Sequence, residues 1–399
     1  QTLTCNNGNW EAEMTQLSDG LHTVTLTITD KAGNQTTDNK EITIDTVAPT
    51  AQYTYYKNGT KITDSKTYIS SINELTYTGI FEDKDSSGLY KDVLVVFRKS
   101  DNHAYCSWSQ SLSSTGGVSL SGNSYELTTQ QNVSKCVNSL PEGEYYIRHR
   151  VYDNAIRRDA PAYHQHRQYT TLEFVIDSTA PTVEITSPSE NSILRGTVEI
   201  KGSVQDTNPH HYYYKIEDKD GSIITDETVY TTENITDKVI YTWDTTKVDD
   251  GTYKIQLEAK DAADNKDASS IKSITVIVDN KAPTTTLTSD PSGTYINTPV
   301  SISGKSIDTN GVDSVNIFYT VTGTTDWAPI TTLDNTPNTS PYDWSYIWTP
   351  SSDGTYDIKI SATDTVGNIE QSAYIYSLTY DSTAPTITLF SVVSNILNI

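Results

Sequence analysis

The chain has one methionine, five phenylalanines and three cysteines in 399 residues, and each scarcity removes a class of protein. The cysteines stand at 5, 106 and 136 with no C-x-x-C pair, so a structural zinc site has no ligand framework. No apolar run reaches the ~18 residues of a membrane-spanning helix. Basic residues are outnumbered, Lys+Arg 28 against Asp+Glu 51, and the net charge of −23 would repel a phosphate backbone. Nucleic acid is therefore excluded as a partner, while divalent cations would be attracted. Helix-forming stretches are missing too; runs of Thr, Val, Ile and Tyr broken by Gly and Asn favour strands and turns. No G-x-S-x-G elbow, H-E-x-x-H helix or phosphate-cradling glycine loop occurs, and the acids recur in repeated turns rather than as one unusual pair. A catalytic centre is not expected.

What is present is repetition. The stretch Ile44-Asp45-Thr46-Val47-Ala48-Pro49-Thr50 returns as IDSTAPT from Ile176, VDNKAPT from Val278 and YDSTAPT from Tyr380. Proline fixes its own φ and biases the preceding residue toward an extended conformation, so each copy reads as a stiff connector. Its Asp falls at 45, 177, 279 and 381, at intervals of 132, 102 and 102 residues, a period of whole domains rather than of a solenoid. The connectors divide the chain into 1–46, 47–178, 179–280, 281–382 and 383–399. The first piece is expected to be the C-terminal part of a domain and the last the first strand or strands of another, as if cut from a longer polypeptide.

A second ruler runs inside each segment. Gly20, Gly143, Gly251 and Gly354 each precede an Asp, at 30, 153, 261 and 364, by ten residues. Between them apolar residues alternate with polar ones, as in Val24, Leu26 and Ile28, or Ile255, Leu257 and Ala259, or Ile358, Ile360 and Ala362. That is a strand with one buried and one wet face. The turns DKAGN, DNAIR, DAADN and DTVGN follow, then a strand that runs into the next connector. Upstream, Gly79/Asp83, Gly202/Asp206 and Gly304/Asp308 close another strand and open a loop. Trp10, Trp243 and Trp348 read as core anchors.

The combined signature, W…DG-x-[HY]…D-x-A-G-N…D-x-x-A-P-T, resembles the bacterial immunoglobulin-like repeats of large surface adhesins and other exported envelope proteins. The resemblance covers nearly the whole chain. It implies an all-β protein of tandem immunoglobulin-like β-sandwich domains in an extended rod at the cell surface. Within it His22, Tyr145, Tyr253 and Tyr356 occupy the corner position at the start of strand F, where a tyrosine hydroxyl bonds back to the backbone. Segment 47–178 departs from the pattern: Asp153-Asn154-Ala155-Ile156-Arg157 replaces the Asn-terminated turn, and Glu142 replaces the Asp before the glycine.

In such a sandwich the B–C loops, opened here by Asp83, Asp206 and Asp308, and the F–G loops, opened by Asp153, Asp261 and Asp364, lie at the end where the chain enters, so each connector Asp meets those loops of the following domain. Three clusters are expected: Asp45 with Asp83, Asp85 and Asp153; Asp177 with Asp206, Asp261 and Asn265; Asp279 with Asp308, Asp364 and Asn368. Calcium takes six to eight oxygen ligands of this kind, and in the family resembled, interdomain calcium stiffens the rod. The alternative is that these residues are turn formers and strand caps with no metal.

The second segment is the odd one. Cys106 and Cys136 are expected either to bridge, which implies an oxidising, extracytoplasmic setting, or to remain thiols. Its enlarged F–G loop carries Arg157, Arg158, Tyr163, His164, His166 and Arg167, and six of the seven arginines lie in this segment. Arg with Tyr suits a recognition surface for another cell-surface protein or a glycan, or the loop packs onto its neighbour. The leading function is a non-catalytic stalk or adhesin. A surface-layer or filament subunit in contact with copies of itself, and accessory modules of a secreted carbohydrate-active enzyme, are the rivals.

Overall fold

The computed structural model describes residues 17–83, 88–112, 118–120, 124–153, 155, 167–371 and 374–388. They form mainly antiparallel sheets, stacked in pairs in the second, third and fourth segments, each pair having one sheet with a short edge strand paired in parallel. The first segment contributes a two-stranded ladder, Gly20–Thr29 against Gln35–Ile44. In the third segment Thr182–Ser187, Thr197–Gln205 and Ile235–Asp244 make one sheet, in that order. The facing sheet runs Ile193–Leu194, Ile271–Val278, Gly251–Asp261, Pro209–Asp218, Ile223–Tyr230. The fourth segment repeats this plan with three strands facing five, and the second enlarges it to five facing five. Each sandwich encloses its own apolar cluster, one between Ala51 and Ile176, one between Ile185 and Val278, one between Val300 and Leu378.

The alternation read from the sequence sets the sandwich. On strand Gly251–Asp261 the buried positions are Tyr253, Ile255, Leu257, Ala259 and Asp261; on Gly354–Asp364 they include Tyr356, Ile358, Ile360, Ala362 and Asp364. The corner residues bond as their register implies: the hydroxyls of Tyr145, Tyr253 and Tyr356 donate to the carbonyls of Pro141, Asp249 and Ser352 at 2.7–2.8 Å. His22 fills the same corner, its Nε2 2.7 Å from the Ser18 carbonyl oxygen. Trp243 and Trp348 are buried, and Trp10 lies outside the described residues. Cys106 and Cys136 form a disulfide with Cα atoms 5.6 Å apart. The glycine of the upstream strand is steric: a Cβ on Gly304 would stand 2.4 Å from the Trp344 ring and 2.7 Å from the Thr286 carbonyl oxygen.

The second domain replaces apolar core positions by polar ones. Where the siblings place Leu257 or Ile360 it has His149, and where they pair Tyr212 or Val315 with strand F it has Asp92. Both are fully buried. Asp92 accepts from the Tyr53 hydroxyl at 2.9 Å and from Tyr77 and Gln110 at 3.4 and 3.3 Å, with His149 Nδ1 at 3.1 Å. The Tyr53 ring stacks on His149 with centroids 3.9 Å apart. One carboxylate thus gathers donors from both sheets. Removing it leaves Tyr53, Tyr77 and His149 without this acceptor in the core, Gln110 keeping its bond to the Tyr77 hydroxyl, so Asp92→Ala is expected to cost about 3–5 kcal/mol in urea unfolding of this chain; an unchanged denaturation midpoint would contradict that account.

Candidate metal centre at the domain junctions

Strand F ends in an acid that is buried because the inward alternation carries it one step beyond the last apolar residue. Asp261 and Asp364 are 0% and 2% exposed. Each closes its F–G turn from within. Asp261 Oδ1 accepts the N–H groups of Ala263 (2.9 Å) and Asn265 (2.8 Å), and Asp364 Oδ1 those of Val366 (2.9 Å) and Asn368 (2.8 Å). The fourth residue of the turn needs a left-handed backbone, which Gly33 (φ 91°) and Gly367 (φ 87°) supply and Asp264 (φ 70°) tolerates.

The connector Asp is held from its own domain. The N–H of Asp177 donates to Ile69 O at 3.0 Å, that of Asp279 to Leu194 O at 2.9 Å and that of Asp381 to Ile296 O at 2.9 Å. One turn away, the acid before the strand-F glycine grips the next residues of the connector. Asp19 binds Thr46, Asp250 accepts the Asn280 N–H at 2.9 Å, and Asp353 binds Ser382 and Thr383. Glu142, which departs from the motif, makes the same bonds to Ser178 and Thr179.

The following domain then clasps the connector. Asn265 Nδ2 donates to Asp261 Oδ2 at 2.6 Å and to the Asp177 carbonyl at 2.7 Å; Asn368 Nδ2 donates to Asp364 Oδ2 at 2.6 Å and to the Asp279 carbonyl at 3.0 Å. Two asparagines that the sequence reading missed complete the junction. Asn208 Nδ2 donates to Asp177 Oδ2 at 2.5 Å and Asn310 Nδ2 to Asp279 Oδ2 at 2.8 Å. Their signal was the repeated D-T-N that ends the B–C approach, Asp206-Thr207-Asn208 and Asp308-Thr309-Asn310. Lys57 pairs with Asp264 at 3.1 Å across one junction, and Arg195 Nη1 donates to Val366 O at 3.3 Å across the next.

Two carboxylate groups result. Asp177, Asp206 and Asp261 each offer an oxygen within 4.8 Å of the others, and so do Asp279, Asp308 and Asp364. Burial raises the pKa of Asp206, Asp261, Asp279 and Asp308 above the ordinary range, and repulsion from the neighbouring carboxylates adds to it. At the first junction Asp83 and Asp153 are buried and Asp45 accepts the Val47 N–H at 3.1 Å; among the described residues these three do not form such a group. Asp85 lies outside those residues, as do Arg157, which stands where the other turns carry the clasping Asn, and Arg158, Tyr163, His164 and His166. Arg167 opens the strand Arg167–Ile176. Asn265 and Asn368 act through their amide nitrogens as clasps, rather than as the oxygen donors expected of them.

Residues 1–46 and 43–156 match families described as "Bacterial Ig-like domain", residues 181–257 one described as "Bacterial Ig domain", and residues 237–333 with 340–397 one described as "Bacterial Ig-like domain (group 3)". The chain is a tandem array of bacterial Ig-like domains. No curated protein matches it. Among solved structures, the tetra-tandem repeat in the extending region of a large adhesion protein is 17% identical, with a TM-score of 0.31 over 94% of this chain and 85% of that one. The FN1–FN3 domains of chicken CNTN1 are 10% identical, with a TM-score of 0.29 over 76% of this chain and 94% of that one. At those scores neither likeness carries weight.

The donor set of the two Ig-like junctions, all oxygen and mostly anionic, fits a hard cation such as calcium. Without one, the raised carboxylate pKa values mean that the folded protein binds more protons than the unfolded chain, so their contribution to stability is present at low pH and is lost as pH rises through the raised values. In chelator, the melting temperature of the parent relative to that of Asp261→Asn is expected to rise as pH falls toward the ordinary carboxylate range. Carboxylates such as Glu142 and Asp353, whose pKa values are lowered by their hydroxyl and amide partners, oppose the effect equally in both proteins.

Proposed function

We propose that the chain is a non-catalytic surface protein, a stalk or adhesin whose Ig-like domains are joined into a rod by calcium at the junctions centred on Asp177 and Asp279. The observation that carries this reading is the convergence of three carboxylates at each of two successive junctions, every one contributed by a different structural element. A cation there would tie the connector to the B–C and F–G loops of the following domain, neutralise the repulsion and fix the interdomain angle. Asp177, Asp206 and Asp261 would hold the first ion and Asp279, Asp308 and Asp364 the second, with carbonyls and water completing the shell. None of the described residues forms a helix long and apolar enough to cross a membrane.

Strands of about ten residues make each sandwich roughly 30 Å long, so three in line would reach roughly 100 Å. A partner would be another cell-surface protein or a glycan.

Small-angle scattering and calorimetry in calcium and then in chelator test the proposal. Extracellular calcium sites bind with Kd of ~10⁻⁴–10⁻³ M, and at ~100 times Kd each site stabilises by about 2.7 kcal/mol. Chelation is expected to shorten the maximum dimension and lower the melting temperature. Superimposable curves would overturn the calcium-clamped rod.

A further inference from the structure

Beside the second–third junction, and made of different chemistry, two consecutive histidines point the same way. Neighbours on a strand normally project to opposite faces. Here the strand Pro209–Asp218 slips against Gly251–Asp261: Pro209 faces Asp261 and His211 faces Lys260, so His210 is an extra residue in a β-bulge. Such bulges re-aim side chains. The result is that His210 Nδ1 and His211 Nδ1 stand 2.9 Å apart. Across the neighbouring strand Tyr230 is the partner of His211, and its ring lies 5.4 and 5.5 Å from the two imidazoles. His210 is exposed and His211 half-buried, so water and small ions reach the pair.

We propose that His210 and His211 form a bidentate site for a divalent transition ion of tetragonal preference, Cu(II) or Ni(II), bound through both Nδ1 atoms. Metal–imidazole bonds are about 2.0–2.1 Å, so two nitrogens on one ion lie about 2.9 Å apart at a right angle and about 3.3–3.4 Å apart at the tetrahedral angle. The separation observed is that of a metal-free N–H···N hydrogen bond and already brings both nitrogens to the spacing of adjacent corners of a square, and the Irving–Williams order places copper first for such imidazole donors. Burial and the neighbouring His210 and Lys260 hold the His211 pKa below its ordinary value, while Asp264 and Glu258 oppose the shift. A neutral imidazole is the ligating form. Without a metal one Nδ1 must carry a proton and donate to the other; with the ion both are deprotonated and the proton of each ring sits on Nε2. The site does not depend on the calcium reading, since hard cations take oxygen ligands and leave imidazole alone.

The test is titration of the whole chain with Cu(II) in saturating calcium, which keeps the carboxylate junctions occupied, followed by electron paramagnetic resonance. One equivalent of copper is expected with hyperfine structure from two imidazole nitrogens. Losing a ligand should cost at least as much as losing a ligand's outer partner, about tenfold in affinity, so His210→Ala and His211→Ala each weaken binding at least that far. His210 is exposed and its substitution leaves the melting temperature unchanged, which separates lost binding from lost fold. His164→Ala with His166→Ala retains the signal. Unaltered copper binding in His210→Ala/His211→Ala, or loss of the signal on substitution of His164 and His166 instead, overturns the proposal.

Discussion

The structure depends on how the connector Asp is held by its backbone. Its N–H completes the ladder of the domain it leaves, and its side chain and carbonyl face the domain it enters. Because the peptide is fixed on one side and clasped by an asparagine amide on the other, the Ala-Pro step that follows has little freedom left to set the path of the chain. The acid before the strand-F glycine adds a second attachment one to two residues later. At the two later junctions three separate turns therefore hold one short connector.

The same arrangement creates an electrostatic problem. Alternation along strand F delivers a carboxylate into the end of the sandwich, the B–C loop supplies another, and the connector a third. Asparagine amides and turn N–H groups satisfy much of their hydrogen bonding but supply no full positive charge, and the nearby Lys57 and Arg195 bind the outer rim of the F–G turns. Buried carboxylates without a counter-ion are expensive, which is the physical case for a cation. The second domain resolves a related cost differently, by surrounding buried Asp92 with two tyrosines, a glutamine and a histidine.

Much of this was legible in the residues. The ten-residue spacing from Gly to Asp marked strand F, the period-two alternation marked its buried face, and the corner tyrosines followed from register, with His22 doing through a ring nitrogen what the others do through a hydroxyl. The meeting of Asp177 with Asp206 and Asp261 was readable because strand topology decides which loops share an end. What stayed hidden depended on partners distant in sequence or on local slips in pairing. Asp92 sits in a run, Lys91-Asp92-Val93-Leu94-Val95-Val96-Phe97, whose period does not say which face is inward, and its donors come from four other strands. Asn208 and Asn310 looked like turn residues, and Glu142 like a lost motif, until their bonds were seen. The convergence of His210 and His211 needs a bulge, which no alternation pattern announces.

The most direct measurement is the number of calcium ions bound per chain, by equilibrium dialysis of the intact protein and of Asp261→Asn and Asp364→Asn. Two carboxylate clamps predict two ions in the parent and one in each variant, with the melting temperature falling in step. No bound calcium, or the same stoichiometry in all three proteins, would contradict the account and leave the acids as turn and connector anchors alone.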